Sequence, residues 1–396
     1  MNSLYYFLTG RRITNEETPP SRLHTNRKGS IMATFAYNQE AIKNLKIEDS
    51  SLLDRLIDFQ SARTAHLKKD HSQRDKRMSL NEAIAEFVQD GDIATDTGFA
   101  YVRTCHQAYF EIIRQGKKNL HFIGSPNTNQ SYMINFGVCA YSHNSYVGAE
   151  MRGTDRNYSR QLKTGKVKIL SEWSHGAMAQ GFKAAQLGAP GVFSKQMLGS
   201  DIIRYNPYVQ VMQNPMRQDS DPVVFIPALY PDVSIIHVQT CDKFGNARIY
   251  GPAVNDIAIA AAARKLIITA EEIVPEIDIR YNNKGVVIPF MNVDAVVELP
   301  FGAVPGNMPG YYYWSRQWWE KFLRYGTLTD ENLQEFMQYW VFDSKDQFDF
   351  VEKLGGARWV AKSRRMTKVA EYDNEDEGFD FSYEPYTLKK DSGIYY

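Results

Sequence analysis

Between Ser79 and Leu299, short apolar runs alternate with amphipathic helical stretches, and this rhythm constrains the fold more than any other feature of the chain. A strand buried on both faces reads as a continuous apolar run, and helices between such strands serve as crossovers. The pattern therefore predicts an α/β fold: an open, mixed, largely parallel sheet flanked by helices. Ser79 and Glu82 have capping-box spacing, and Leu80, Ala83, Ile84, Phe87 and Val88 then fall on one helical face. Asp90-Gly91 ends that helix, 93–95 reads as a strand, and Gly98 breaks it. A second helix follows, with Cys105, Ala108, Tyr109, Ile112 and Ile113 inward. Strands are expected over 120–123, 138–141 and 167–170, and helices over 130–136, 156–163 and 175–187. Gly165 closes one helix and Ser174 opens the next.

The rhythm breaks over 200–222, where Tyr205-Asn-Pro, Asn214-Pro and Asp219-Ser-Asp-Pro make a long polar excursion. Strands resume over 223–226, 233–238, 247–250, 266–270 and 293–299, with an Ala-rich helix over 254–264. Residues 312–355 become helical and aromatic, with Trp314, Trp318, Trp319, Phe322, Phe336, Trp340 and Phe342. At the front, 1–77 reads as a loosely structured extension with one helix, marked by the stripe Leu52, Leu53, Leu56, Ile57 and Phe59. The charged run 68–77 reads as a solvated linker or helix end. Met32 and Met78 are both candidate starts. The main domain is expected over 78–357, and an acidic, Tyr-rich tail over 358–396.

Charge and cysteines narrow the function. Lys+Arg and Asp+Glu are both 46, whereas a surface that holds nucleic acid along its length carries a basic excess. No nucleic-acid partner is expected, though a local patch for a small phosphate-bearing ligand stays open. No run approaches the ~20 apolar residues of a membrane span, and Met1-Asn-Ser-Leu-Tyr-Tyr-Phe-Leu is a poor secretion signal. Cys105, Cys139 and Cys241 lie far apart and form no paired motif, which suits a reducing, cytoplasmic setting with buried thiols. The histidines show no metal-ligand spacing, and no serine sits in a G-x-S-x-G setting, so neither a metal site nor a hydrolase elbow is expected.

Two segments have the residue types for chemistry. In Asp90-Gly-Asp-Ile-Ala-Thr-Asp-Thr-Gly-Phe99, a strand runs into a glycine turn before a helix, where backbone amides suit anions. It is neither a GxGxxG motif nor a phosphate loop. In Ser171-Glu-Trp-Ser-His-Gly176, His175 sits at the first turn of a helix, whose positive end disfavours the protonated ring. A neutral imidazole there can polarise a carbonyl or take a proton. The residues alone leave both segments open between these roles and plain turn or cap duty.

Taken in order, the segments resemble the alpha (A) subunit of family I coenzyme A transferases, most nearly the glutaconate type. The similar stretches are Asp90-Gly-Asp with Gly98-Phe99, then Phe110-Glu-Ile-Ile-Arg-Gln-Gly116, Thr164-Gly-Lys-Val, Leu187-Gly-Ala-Pro190 and Asp242-Lys-Phe-Gly-Asn246. Further on come Glu271-Glu-Ile-Val, Val293-Asp-Ala-Val-Val, Phe301-Gly-Ala-Val-Pro and Trp340-Val-Phe-Asp-Ser-Lys-Asp, while Ser145-Tyr-Val-Gly148 matches the 3-ketoacid transferases. The resemblance runs from about Met78 to about Ala357. It implies a NagB/RpiA/CoA-transferase fold and an alpha–beta complex that moves CoA from an acyl-CoA to a free carboxylate, with CoA as substrate and no permanent cofactor. It also implies a nucleophilic glutamate, in a Glu-Asn-Gly or Glu-Ser-Gly motif, on the partner B subunit. The nearest match in this chain, Glu375-Asp-Glu377-Gly, lies in the acidic tail and is rejected.

By the same resemblance, His175 is the expected carbonyl donor or base. Gly98, Phe99, Arg103, Ser145 and Gly148 are expected to bind substrate, Arg103 as a fork for a second carboxylate. Two positions depart from the family. His175 stands where the 3-keto acid enzymes have a glutamine and a ring-cleaving hydrolase family has a glutamate. Thr97 stands where the family turn has its first glycine, which removes φ > 0 freedom. Two alternatives therefore accompany the transferase reading: the A subunit of a CoA-thioester or ring-cleaving hydrolase with His175 as base, and a non-catalytic ligand-binding protein of this fold.

Overall fold

The computed structural model describes residues 35–124, 130–148, 155–217 and 219–367. Among these residues three short helices come first: α1 (Gln39–Leu45), α2 (Ser51–Ile57) and α3 (Phe59–Lys68). The expected alternation follows with α4 (Leu80–Phe87), β1 (Ile93–Asp96), α5 (His106–Arg114), β2 (Leu120–Gly124), α6 (Gln130–Ile134), β3 (Cys139–Asn144), α7 (Arg156–Thr164), β4 (Lys168–Glu172) and α8 (His175–Gln186). Next come β5 (Gly191–Ser194), β6 (Gln210–Gln213), β7 (Pro222–Pro227), β8 (Val233–Cys241), β9 (Ala247–Arg248), α9 (Asp256–Ala262), β10 (Lys265–Ile273), α10 (Glu276–Tyr281), β11 (Val286–Ile288) and β12 (Ala295–Glu298). Four α-helices, with π-helical turns at Phe322–Gly326 and Gln338–Phe342 between them, close the described chain: α11 (Arg316–Lys321), α12 (Asp330–Met337), α13 (Gln347–Leu354) and α14 (Gly356–Met366).

The capping box at α4 forms as the spacing predicts. The Ser79 hydroxyl accepts from the Glu82 amide, and the Glu82 carboxylate accepts from the Ser79 amide. Beyond it stands a nine-stranded sheet. The run β12-β10-β8-β1-β2-β3-β4 is parallel throughout, and β9 and β11 join antiparallel beside the far end of β8. All nine residues of β8 are buried, the polar Ser234, His237, Gln239 and Thr240 included, because the strand lies between β1 and β10 in the middle of the sheet. Chain order runs outward from β1 through β2, β3 and β4 on one side, and from β8 through β10 and β12 on the other. The direction reverses between β1 and β8, and ligands of open α/β sheets bind at the carboxyl ends of strands flanking such a reversal.

Three expectations are corrected. Where one helix was expected before Met78, the described residues from 35 onward already hold three, and part of this stretch is core: Leu53, Leu56 and Ala62 pack with Ile93, Ile123 and Leu170. The apolar stripe needed a partner surface and found it on one face of the sheet and on α8, whose Ala177, Met178 and Phe182 join the same cluster. The run 68–77 is not wholly solvated. Lys76 is 1% exposed and donates to the carbonyls of Phe290 and Val293, and Lys69 pairs with Asp294 at 2.8 Å. The excursion around 200–222 lies within a second, three-stranded antiparallel sheet in the order β5-β7-β6. There Phe193 pairs with Phe225 and Val211 with Val224. Short strands flanked by Asn-Pro and Asp-Pro carry little periodic signal of their own.

The aromatic C-terminal region joins the main core. Trp318, Trp319, Phe322, Phe336, Trp340 and Phe350 share one buried cluster with the inward faces of α4 and α5. Helix α14 carries regular structure to Met366, past the expected tail boundary at 358. Cys105, Cys139 and Cys241 are buried and unpaired with one another, and burial pushes the Cys105 thiol up to about 12. No helix among the described residues is long and apolar enough to cross a membrane.

Candidate active site

The loop after β1 leaves the sheet at the reversal point and turns sharply. Gly98, Ala100 and Arg103 all adopt positive φ, at 83°, 53° and 62°. At Gly98 the backbone needs glycine twice over: its φ is left-handed, and a Cβ would lie 2.1 Å from the Val102 carbonyl oxygen. Thr97, the departure from the family turn, is accommodated differently. It is buried and its hydroxyl donates to the Ile235 carbonyl at 3.1 Å, so a side-chain bond ties the loop to β8. Phe99 and Val102 exchange backbone hydrogen bonds at 2.8–2.9 Å, which leaves the Phe99 ring 39% exposed at the tip.

The second arm is local. Strand β4 ends at Glu172, and Ser174 caps α8 by accepting from the Ala177 amide at 3.1 Å. The cap role therefore belongs to Ser174, and His175 presents a half-buried imidazole at the first turn. The two arms meet: the rings of Phe99 and His175 lie edge to face, centroids 5.7 Å apart at 70°. Gln196, just beyond β5, closes the other side, its amide 3.1 Å from where a Gly176 Cβ would stand. Beneath the turn, the Ser171 hydroxyl lies 2.9 Å from His143 Nδ1 and accepts from the Trp173 indole N–H at 2.7 Å. Burial holds His143 well below its usual pKa range, so its ring stays neutral.

Ser145 and Gly148 follow β3, whose Asn144 pairs in register with Glu172 of β4, so they leave the sheet at the same end as His175. Ser145 is half-buried and Gly148 buried. The loop beyond Gly148, over 149–154, lies outside the described residues, as do 125–129 after β2 and the acidic motif at 375–377.

Arg103 is placed otherwise than expected. Its guanidinium is fully buried and its fork closes on Asp256, Nη1 to Oδ1 at 3.0 Å and Nη2 to Oδ2 at 2.8 Å, with Pro252 O as a further acceptor. A fork so occupied is not presented to a substrate carboxylate. Asp256 itself, and Gln196, have no signal in the sequence: one is an acidic residue opening an Ala-rich helix, the other a polar residue in a loop. Glu172 is equally silent there. It is half-buried, and burial raises its carboxyl above the usual range. The arrangement combines an imidazole, backbone amides at a helix start and an apolar ring wall, a set suited to holding an acyl group and meeting charge on its oxygen.

Known proteins give this geometry its context. The family model described as "Coenzyme A transferase" matches residues 77–299. An uncharacterised protein of Archaeoglobus fulgidus is 36% identical over 309 residues, 76% of this chain and 67% of the relative. The A subunit of glutaconate CoA-transferase from Acidaminococcus fermentans is 31% identical over 302 residues, 72% of this chain and 93% of the relative. The crystal structure of glutaconate coenzyme A-transferase from that organism superposes with a TM-score of 0.69 at 30% identity, covering 73% of this chain and 95% of the other. The matched span holds both arms of the site, from the Gly98 loop to α8 and on to Asp256, and on these grounds the chain belongs to the coenzyme A transferase family.

Proposed function

We propose that this chain is the A subunit of an acyl-CoA:carboxylate CoA-transferase, active in the cytoplasm with a B subunit that brings the nucleophilic glutamate. The contact of Phe99 with His175 at the sheet's reversal point carries the reading, because it sets an imidazole and a helix start beside one apolar wall. A carboxylate is a weak nucleophile, and attack on a thioester succeeds where water is excluded and the developing oxyanion meets ready donors. The partner's glutamate oxygen attacks the thioester carbon, the C–S bond breaks, and CoA leaves as thiolate from a mixed anhydride. The thiolate then attacks the glutamyl carbonyl and releases the first acid, which leaves a glutamyl-CoA thioester. An acceptor carboxylate reverses the two steps.

In this scheme His175 donates an N–H to the acyl oxygen. Gly98 and Phe99 shape the acyl wall, and Ser145 and Gly148 line the side nearest β3. Arg103 acts from within the protein, through the loop it anchors. CoA is a substrate, with no bound cofactor. The chain purified with its B subunit should transfer CoA to an acceptor acid, and the chain alone should not. His175→Ala should cost on the order of 10²-fold in rate with the assembly intact. Full turnover by the isolated chain would overturn the reading.

A second reading, hydrolysis, is favoured by His175 itself. Ser174 already caps α8, so the imidazole is not needed as a cap and can transfer a proton, where a glutamine can only donate and accept hydrogen bonds. CoA release from acyl-CoA without an acceptor acid, and with no new acyl-CoA formed, would select it.

A further inference from the structure

The loop that carries Phe99 is held at its base by one buried carboxylate. Asp256 Oδ1 accepts from the Gly98 amide at 3.1 Å and from Arg103 Nη1 at 3.0 Å, while Oδ2 accepts from Nη2 at 2.8 Å. Both side chains of the pair are 0% exposed. Arg103 is itself in a left-handed conformation, and its amide donates to Asn307 O at 2.8 Å. The Thr104 hydroxyl bridges back to the carbonyls of Thr97 and Ala100.

We propose that Arg103 and Asp256 are positioning residues of the reaction: the pair fixes the Gly98 turn so that Phe99 rests against His175 and orients its ring. The proposal rests on His175 being an active-site group. Stability alone is a poor account of the pair, because a buried ion pair gains little over an apolar pair of similar size. A two-pronged fork combined with a third donor on the same carboxylate does fix direction. The geometry it fixes holds two non-glycine residues, Ala100 and Arg103, at positive φ within five positions of Gly98, and strain of that kind relaxes when its anchor is loosened. A small misplacement of a catalytic ring lowers turnover more than binding.

The test reads His175 directly. In protein labelled with ¹³C-histidine, the edge-to-face Phe99 ring displaces the His175 ring signal, which a His175→Gln sample assigns and Phe99→Leu returns to its unshifted place. Asp256→Asn and Arg103→Lys should each move the signal toward the Phe99→Leu position. In the assembled enzyme, each should lower kcat roughly tenfold or more with KM for acyl-CoA little changed. If a single variant strands a buried charge and fails to fold, the neutral pair Arg103→Gln with Asp256→Asn should fold and show the same displacement. A folded variant with the His175 signal at its wild-type position would overturn the proposal. If the wild-type assembly transfers no CoA, the transferase reading fails, while the resonance result stands or falls separately.

Discussion

The two arms of the site reach one ring contact by opposite routes. The His175 arm is local: β4, the Ser174 cap and the first turn of α8 follow one another within ten residues of chain, 168–177. The Gly98 arm is assembled from afar. Its Arg103 meets Asp256, 153 positions away, and Tyr101 stacks on Trp314 at 5.2 Å and meets Trp319 edge-on at 4.5 Å. Its backbone also pairs with Asn307. A local arm is set by its own sequence and should tolerate change around it. An assembled arm depends on the whole fold, including the aromatic C-terminal region.

The sharpest way to break this contrast is Gly98→Ala. The new methyl meets the Val102 carbonyl in a conformation L-residues avoid, which costs roughly 2–4 kcal/mol once clash and strain are added. Turnover of the proposed assembly should fall on the order of 10²–10³-fold, while α8 keeps its cap. Near-normal turnover would show that the loop has another working conformation and that the assembled arm is not required.

The same contrast explains what is legible in the sequence. The strands and helices from 79 to 187 can be read because their signals are local: Ser79 with Glu82, Ser174 before His175, and Gly165, whose αL conformation closes α7. The His175 arm can be read for the same reason. The Asp256 anchor cannot, since nothing near an aspartate at a helix start reveals a partner 153 positions away. Arg103 stands out as a cation yet suggests the wrong recipient, because charge shows in sequence while burial does not. Leu53 and Leu56 show their stripe but not the surface that covers it. Of the small antiparallel sheet only β7 can be read, as the strand expected over 223–226; β5 and β6 are four residues each, too short to show a period.

Acid should weaken both arms, by neighbouring but separate histidines. His106, beneath the loop against Trp319 and with its Nδ1 3.0 Å from the Tyr132 hydroxyl, is held neutral by burial with its pKa lowered to about 3. On the other side, burial lowers His121 to about 4 and His143 well below the usual range. Because these folded-state values lie below the ordinary 6.5, the unfolded chain binds the extra protons. The histidines' contribution is complete above pH ~6.5 and is lost as pH falls toward the folded values, at about 1.4 kcal/mol per pH unit for each histidine. Urea midpoints between pH 7 and 5 should fall accordingly. His106→Gln and His143→Gln should each flatten the slope by about one proton. A midpoint unchanged over that range would mean that these rings already carry protons in the fold.

The smallest effect belongs to the local arm. Ser174→Ala removes the acceptor for the Ala177 amide, and N-cap losses of this kind cost about 1 kcal/mol. In a fold of this size that lowers Tm by roughly 1–2 °C. His175 would then stand on a frayed first turn, yet Phe99 would still confine its ring from the loop side, so kcat should fall by no more than several-fold. Ser174→Asp should restore the melting point, because a carboxylate caps as well as a hydroxyl and faces the positive end of the helix. If Ser174→Ala damaged turnover as severely as Gly98→Ala, the His175 arm would be no more self-sufficient than the loop, and placement of the imidazole would have to be credited to the cap instead of to the ring contact.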